Sequence, residues 1–133
     1  MGDAGTTTPT VERGARWACA RSLDDLGDGM FRRARQPLGL TAFGMNVKVM
    51  QPGSSSREHW HLEQQEVIFV HAGRIDVVLG DETLEGLGAG AIVLIDTMQP
   101  HVVRVTSDEP AVLVMLGGRD GVVEGDAEFA PAD

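Results

Sequence analysis

Residues Gly53 to Gly73 read GSSSREHWHLEQQEVIFVHAG, a stretch holding three of the four histidines of the 133-residue chain together with three glutamates and two glutamines. Alternate residues of an extended strand face the same way, so His59 and His61 project together. Glu66 follows His61 by five positions, enough for a bend that lets the next strand return a carboxylate to the same interior. Forty residues after His61, His101 opens the apolar run HVVRV and shares a face with Val103 and Val105. Three imidazoles and one carboxylate can then converge on one cation, a borderline ligand mix that suits Zn, Fe, Mn, Ni, Co or Cu.

The flanking sequence supplies the scaffold. Short apolar runs alternate with turn signals from Arg16 onward, which is the punctuation of an all-β domain. The spacing predicts strands over Arg16–Ala20, Thr41–Gln51, Glu66–Ala72, Ile75–Leu79, Ala91–Ile95, His101–Thr106 and Ala111–Leu116. Between them fall Pro52-Gly53, Ala72-Gly73, Gly80-Asp81, Gly88-Ala89-Gly90 and Glu109-Pro110, all suited to tight turns. No stretch combines helical periodicity with capping signals, and the even spacing of the strands suggests a sandwich, jelly roll or barrel.

At the candidate ligands the chain resembles the cupin superfamily. That family's first motif is a glycine, five residues, His-x-His, three or four residues, Glu, six residues and a glycine. Gly53, His59, His61, Glu66 and Gly73 match every fixed position. Of the second motif, Gly90 and His101 match in register, while Asp96, Met98 and Val105 stand where the family has proline, glycine and asparagine. The resemblance implies a small single-domain jelly-roll β-barrel, or double-stranded β-helix, with His59, His61, Glu66 and His101 holding one divalent transition metal. It leaves the reaction open, since proteins alike at the ligands include dioxygenases, sugar isomerases, polyketide cyclases, lyases and simple binding proteins. The motifs and their strands cover roughly residues 41–116, so the domain is expected over 13–120, with a flexible tail at 1–12 and an acidic one at 121–133.

Composition narrows the partners. Eleven basic and twenty acidic residues leave a net charge of −9, which repels phosphate backbones and anionic lipid, so neither nucleic acid nor a membrane is expected. The basic cluster FRRAR at Phe31–Arg35 reads as the solvent face of a strand. One cysteine, Cys19, cannot form an internal disulfide and reads as a small buried hydrophobe, and with no basic, apolar leader the expected location is cytoplasmic. Open sheet edges and outer apolar faces suggest a homodimer, with Trp17, Phe31 and Trp60 as contributors.

Around the ligands, His71 lies on the opposite face from Glu66 and is expected in solvent. Glu63, Gln64 and Gln65 read as a polar connection, with a ligand-orienting hydrogen bond as the alternative. Met45, Val47, Val49, Ile68, Val70, Val103 and Val105 are expected in the core, some of them also lining a cavity, with Met98 and Gln99 at its rim. Phe129 reads as part of a loose terminus. An apolar lining offers no separate acid or base. It favours oxygenation, or Lewis-acid-assisted cyclisation or isomerisation, of a small, largely apolar, oxygen-bearing substrate such as an aromatic, polyketide-like or keto-acid molecule, over sugar chemistry. The alternative is a cupin that binds or senses such a ligand without turning it over.

Overall fold

The structure is a computed structural model and describes residues 8–131, so the first seven residues of the expected N-terminal tail and the last two of the chain lie outside it. The elements in order are β1 (Glu12–Arg13), β2 (Ala18–Cys19), a 3-10 turn (Leu23–Leu26), β3 (Phe31–Arg33), α1 (Arg35–Leu38), β4 (Gly44–Met50), β5 (His59–His61), β6 (Gln65–Ala72), β7 (Ile75–Leu79), β8 (Glu82–Leu87), β9 (Ile92–Ile95), β10 (Val102–Val105), β11 (Ala111–Gly118) and β12 (Ala127–Phe129). One sheet runs β3-β4-β11-β6-β9. Facing it are the ribbon β12-β5 and the sheet β10-β7-β8, which are joined where His59 pairs with His101 and Ser55 with Arg104. All the pairings are antiparallel. The result is a nearly all-β jelly roll, one of the architectures the strand spacing suggests and the one the resemblance implies.

The core follows from period-two patterning on both sheets. Ile68 and Val70 of β6, Ile75 and Val77 of β7, Val93 and Ile95 of β9, Val103 and Val105 of β10 and Leu113 of β11 all turn inward into one cluster. Burying each such side chain contributes about 1.5–3 kcal/mol, which makes this row the main source of stability. Gly73 closes the β6–β7 hairpin at φ 76°, and a Cβ there would sit 2.6 Å from the Ala111 Cα, so glycine is required twice over.

Strand β4 departs from the expected cavity lining. Val47 faces away from the inner cavity and packs with Leu26, Ala34, Leu38, Val112 and Val114 in a second cluster, Val49 shares its face, and Met45 both joins that cluster and lines a wider outer cavity. Asn46, Lys48 and Met50 face inward instead. Because the N-terminal segment covers the outer face of β4 and β11, both faces of β4 are buried, and hydrophobicity alone cannot say which is which. Cys19 also differs from expectation: it is exposed, on the two-stranded ribbon β1-β2. Phe31, expected on an outer apolar face, lines the cavities beside Lys48, its partner in the β3-β4 register. The polar strand β8 went unread because it lacks an apolar face: Glu82 to Gly86 are all exposed.

The turn before His101 has Met98 where the motif has glycine, and its backbone is left-handed there. Gln99 N–H donates to the Asp96 carbonyl at 3.2 Å, and Met98, third in that turn, takes φ 67°. A left-handed conformation costs a non-glycine residue roughly 1–2 kcal/mol, part of which glycine would return as chain entropy. Met98 is 56% exposed and so gains little packing in exchange. Replacing Met98 by Gly is therefore expected to stabilise the metal-free protein by about 0.5–1 kcal/mol in urea unfolding, and a clear loss of stability would contradict the strain.

Candidate metal centre

Two backbone hydrogen bonds place the first pair of imidazoles. His59 N–H donates to the His101 carbonyl at 3.2 Å and His101 N–H returns the bond to the His59 carbonyl at 3.0 Å. Residues paired this way in an antiparallel ladder carry their side chains on one face, and the two rings lie with centroids 4.3 Å apart. His61, two residues along β5, joins them from the same sheet. Glu66 comes from β6 in the facing sheet, opposite Gly117, where a Cβ would meet the Gln65 carbonyl at 2.7 Å.

Each of the three imidazoles is tethered through Nδ1. That of His59 meets the Arg57 carbonyl at 3.1 Å, that of His101 the Gln99 carbonyl at 2.9 Å and that of His61 the Asp126 carboxylate at 2.9 Å. Carbonyl and carboxylate oxygens only accept, so Nδ1 is the donor in all three rings and Nε2 is turned to the site. His61 Nε2 lies 3.3 Å from one Glu66 oxygen and His101 Nε2 3.3 Å from the other. Neither approach is aligned as a hydrogen bond, and both buried Nε2 atoms have no hydrogen-bond partner among the described residues. Such orphaned nitrogens are costly unless something else satisfies them.

The charges are correspondingly perturbed. The Glu66 carboxylate beside its Nε2, against the opposing effect of burial, raises the His61 pKa to about 9, with Asp126 adding to the rise. Burial pushes the Glu66 carboxyl up, but His101 and His61 outweigh it and hold it at about 2. Burial lowers the pKa of His59, which favours its neutral form. Ligand atoms of His59, His61 and Glu66 lie within 4.8 Å of one another, and His101 joins them across Glu66. The four side chains singled out in the sequence are therefore together, whereas His71 is exposed on the outer face of β6.

Two cavities meet at this cluster. An inner one of about 280 Å³ is lined by all four of these side chains, with Met50, Ile68, Val103, Leu113 and Met115, and with Asn46, Lys48, Ser56 and Arg57. An outer one of about 630 Å³ reaches His61 and Glu66 from the side of Arg33, Arg35 and Gln36. The cluster FRRAR is thus not merely a solvent face, since Phe31, Arg33 and Arg35 line this mouth. Asn46 and Lys48 also correct the expected Val and Met lining. Neither Met98 nor Gln99 presents a side chain to the two cavities; Gln99 acts through the carbonyl that holds His101.

The C-terminal segment supplies what sequence reasoning missed. Instead of trailing away, β12 pairs with β5, opposing Ala127 to His61 and Phe129 to His59. The Phe129 ring lies 5.3 Å from that of His59, and the Arg57 guanidinium carbon lies over the Phe129 ring, 4.8 Å from its centroid. Asp126 accepts four hydrogen bonds: from His61 Nδ1 at 2.9 Å, Gln64 Nε2 at 2.6 Å, and the backbone N–H groups of Glu63 and Gln64 at 2.8 Å each. Against burial, these bonds depress its pKa and keep it ionised. Gln64 thus orients His61 only through Asp126, while Gln65 donates to Asp96. A carboxylate behind a ligating imidazole fixes its tautomer and raises its basicity. Asp126→Asn is therefore expected to weaken zinc binding about 10–100-fold in a chelator-competition titration, and unchanged affinity would contradict that role.

Comparison with known proteins bears on the fold and the family. The chain is 34% identical over 77 residues to a protein named polyketide synthase CurC from Streptomyces cyaneus, covering 58% of this chain and 49% of that one. It is 37% identical over 76 residues to protein SchB from Streptomyces halstedii, covering 57% and 54%. The chain thus matches about half the length of these curated relatives. A solved sugar phosphate isomerase of the cupin superfamily from Silicibacter pomeroyi superposes with a TM-score of 0.64 at 24% identity, over 77% of this chain and 66% of that one, a likeness of fold. Residues 46–117, more than half of the chain and inclusive of every candidate ligand, match the family described as Cupin domain, and the protein belongs to that family.

Proposed function

We propose that His59, His61, Glu66 and His101 hold one divalent transition metal, and that the protein uses it to transform a small, largely apolar, polyketide-like substrate. The observation that carries the metal is the triple tethering of Nδ1, which leaves the Nε2 atoms of His61 and His101 facing the two oxygens of Glu66, with His59 beside them. A metal so held supplies Lewis acidity, or redox chemistry, toward a substrate oxygen. The remaining work belongs to the chain. Met50, Ile68, Val103, Leu113 and Met115 receive an apolar body and exclude water from it. Asp126 holds His61 in register, and Phe129 with Arg57 covers the His59 side. Lys48 and Asn46 reach the same cavity and supply the polar contacts that orient a substrate oxygen.

The likeness to polyketide synthase CurC supports an aromatic or polyketide-like substrate, and the apolar share of the lining points the same way. Cyclisation or isomerisation assisted by the metal, or oxygenation, suits this pocket better than hydrolysis. The protein purified from metal-supplemented cells is expected to carry one metal per chain, and to convert members of an aromatic polyketide panel in a chelator-sensitive manner. His61→Ala combined with His101→Ala is expected to lose both properties. Full metal occupancy in that double variant would contradict the ligand set, and tight binding without conversion in every metal form would contradict the enzymatic reading.

A further inference from the structure

The inner cavity has an unusual charge balance for so acidic a chain. Glu66 is the only carboxylate among its lining residues, whereas Lys48 and Arg57 are both there. Lys48 sits on β4 opposite Leu113 of β11 and beside Phe31 of β3, with its side chain half-buried. Arg57 is engaged with the Phe129 ring and the Ala130 carbonyl. Lys48 makes no hydrogen bond and no ion pair among the described residues, and Glu66 is the one charge that acts on it. Burial disfavours its charged form, so an ammonium here is short of a counter-ion.

Glu66 cannot serve Lys48 fully once it is a ligand. With three neutral imidazoles and one carboxylate on a divalent cation, the cluster itself carries a net positive charge, and Lys48 adds another within the same cavity. Electrostatics therefore favour an anion there despite the chain's net charge of −9. We infer that Lys48 anchors an anionic oxygen of the ligand, so that the site takes aromatic or polyketide-like carboxylates, or acidic enols, whose second oxygen faces the His59, His61, Glu66 and His101 cluster. This rests on the metal reading above and specifies its substrate class. The ammonium donates to the anion while the apolar wall of Ile68, Leu113 and Met115 holds the ring. Arg33, on the cavity side of β3 and free of ion pairs among the described residues, gives the mouth the same sign.

The test is calorimetric titration of the zinc-loaded protein with 2-hydroxybenzoate and with its methyl ester, in wild type, Lys48→Met and Lys48→Arg, with zinc content measured in each. Wild type is expected to prefer the carboxylate by about tenfold or more. Lys48→Met is expected to lose that preference at unchanged zinc content, and Lys48→Arg to keep most of it. Equal preference in wild type and Lys48→Met, or none in wild type, with zinc bound stoichiometrically, would overturn the role of Lys48 alone. A wild type that binds no zinc would overturn the metal reading and this inference together.

Discussion

The antiparallel pairing of His59 with His101 is the constraint on which the site depends. Its two backbone hydrogen bonds join the β12-β5 ribbon to the β10-β7-β8 sheet and at once bring two imidazoles side by side. The strand period then determines the third, because His61 repeats the orientation of His59. Glu66 has to come from the opposite sheet, so the cluster spans the sandwich where the inner core ends. Ile68 and Val70 below it are nearly inaccessible, and this dry floor strengthens the electrostatics above it.

The orientation of the rings is a separate matter from their position, and it is settled by acceptors outside the cluster. Two are local carbonyls, two residues away in sequence: Arg57 for His59 and Gln99 for His101. The third is Asp126, brought from the far end of the chain by β12. That single carboxylate organises Glu63 and Gln64 as well as His61, and the Asp126 carbonyl accepts from Leu62 N–H, so the C-terminal segment is part of the centre it borders. The same logic explains Met98. Its amide donates to the His61 carbonyl at 2.8 Å, and the residue holds a positive φ where the motif has glycine.

The candidate ligand residues were legible in the sequence because strand alternation and glycine spacing are local properties: HxH, the returning Glu66, and Gly53, Gly73 and Gly90, all at positive φ. His101 was legible through the apolar alternation of Val103 and Val105. What escaped was non-local or ambiguous. A strand buried on both faces gives no parity signal, so Asn46 and Lys48 were hidden behind the more conspicuous Met45, Val47 and Val49. A three-residue strand such as Ala127–Phe129 is too short to show a period, and nothing in GDAEFAPAD reveals that Asp126 meets a histidine 65 residues earlier. Cys19 misled because its residue type is usually buried, while here a two-residue strand leaves it in solvent.

The central claim is that the three imidazoles are held by Nδ1 so that their Nε2 atoms and Glu66 take one metal. Long-range 15N–1H correlation spectra of the imidazoles, recorded with and without zinc, test it most directly. The account predicts that Nε2 of His59, His61 and His101 shifts on zinc binding while each Nδ1 stays protonated, and that His71 does not respond. Zinc binding seen at Nδ1, or a response from fewer than two of the three rings, would contradict it.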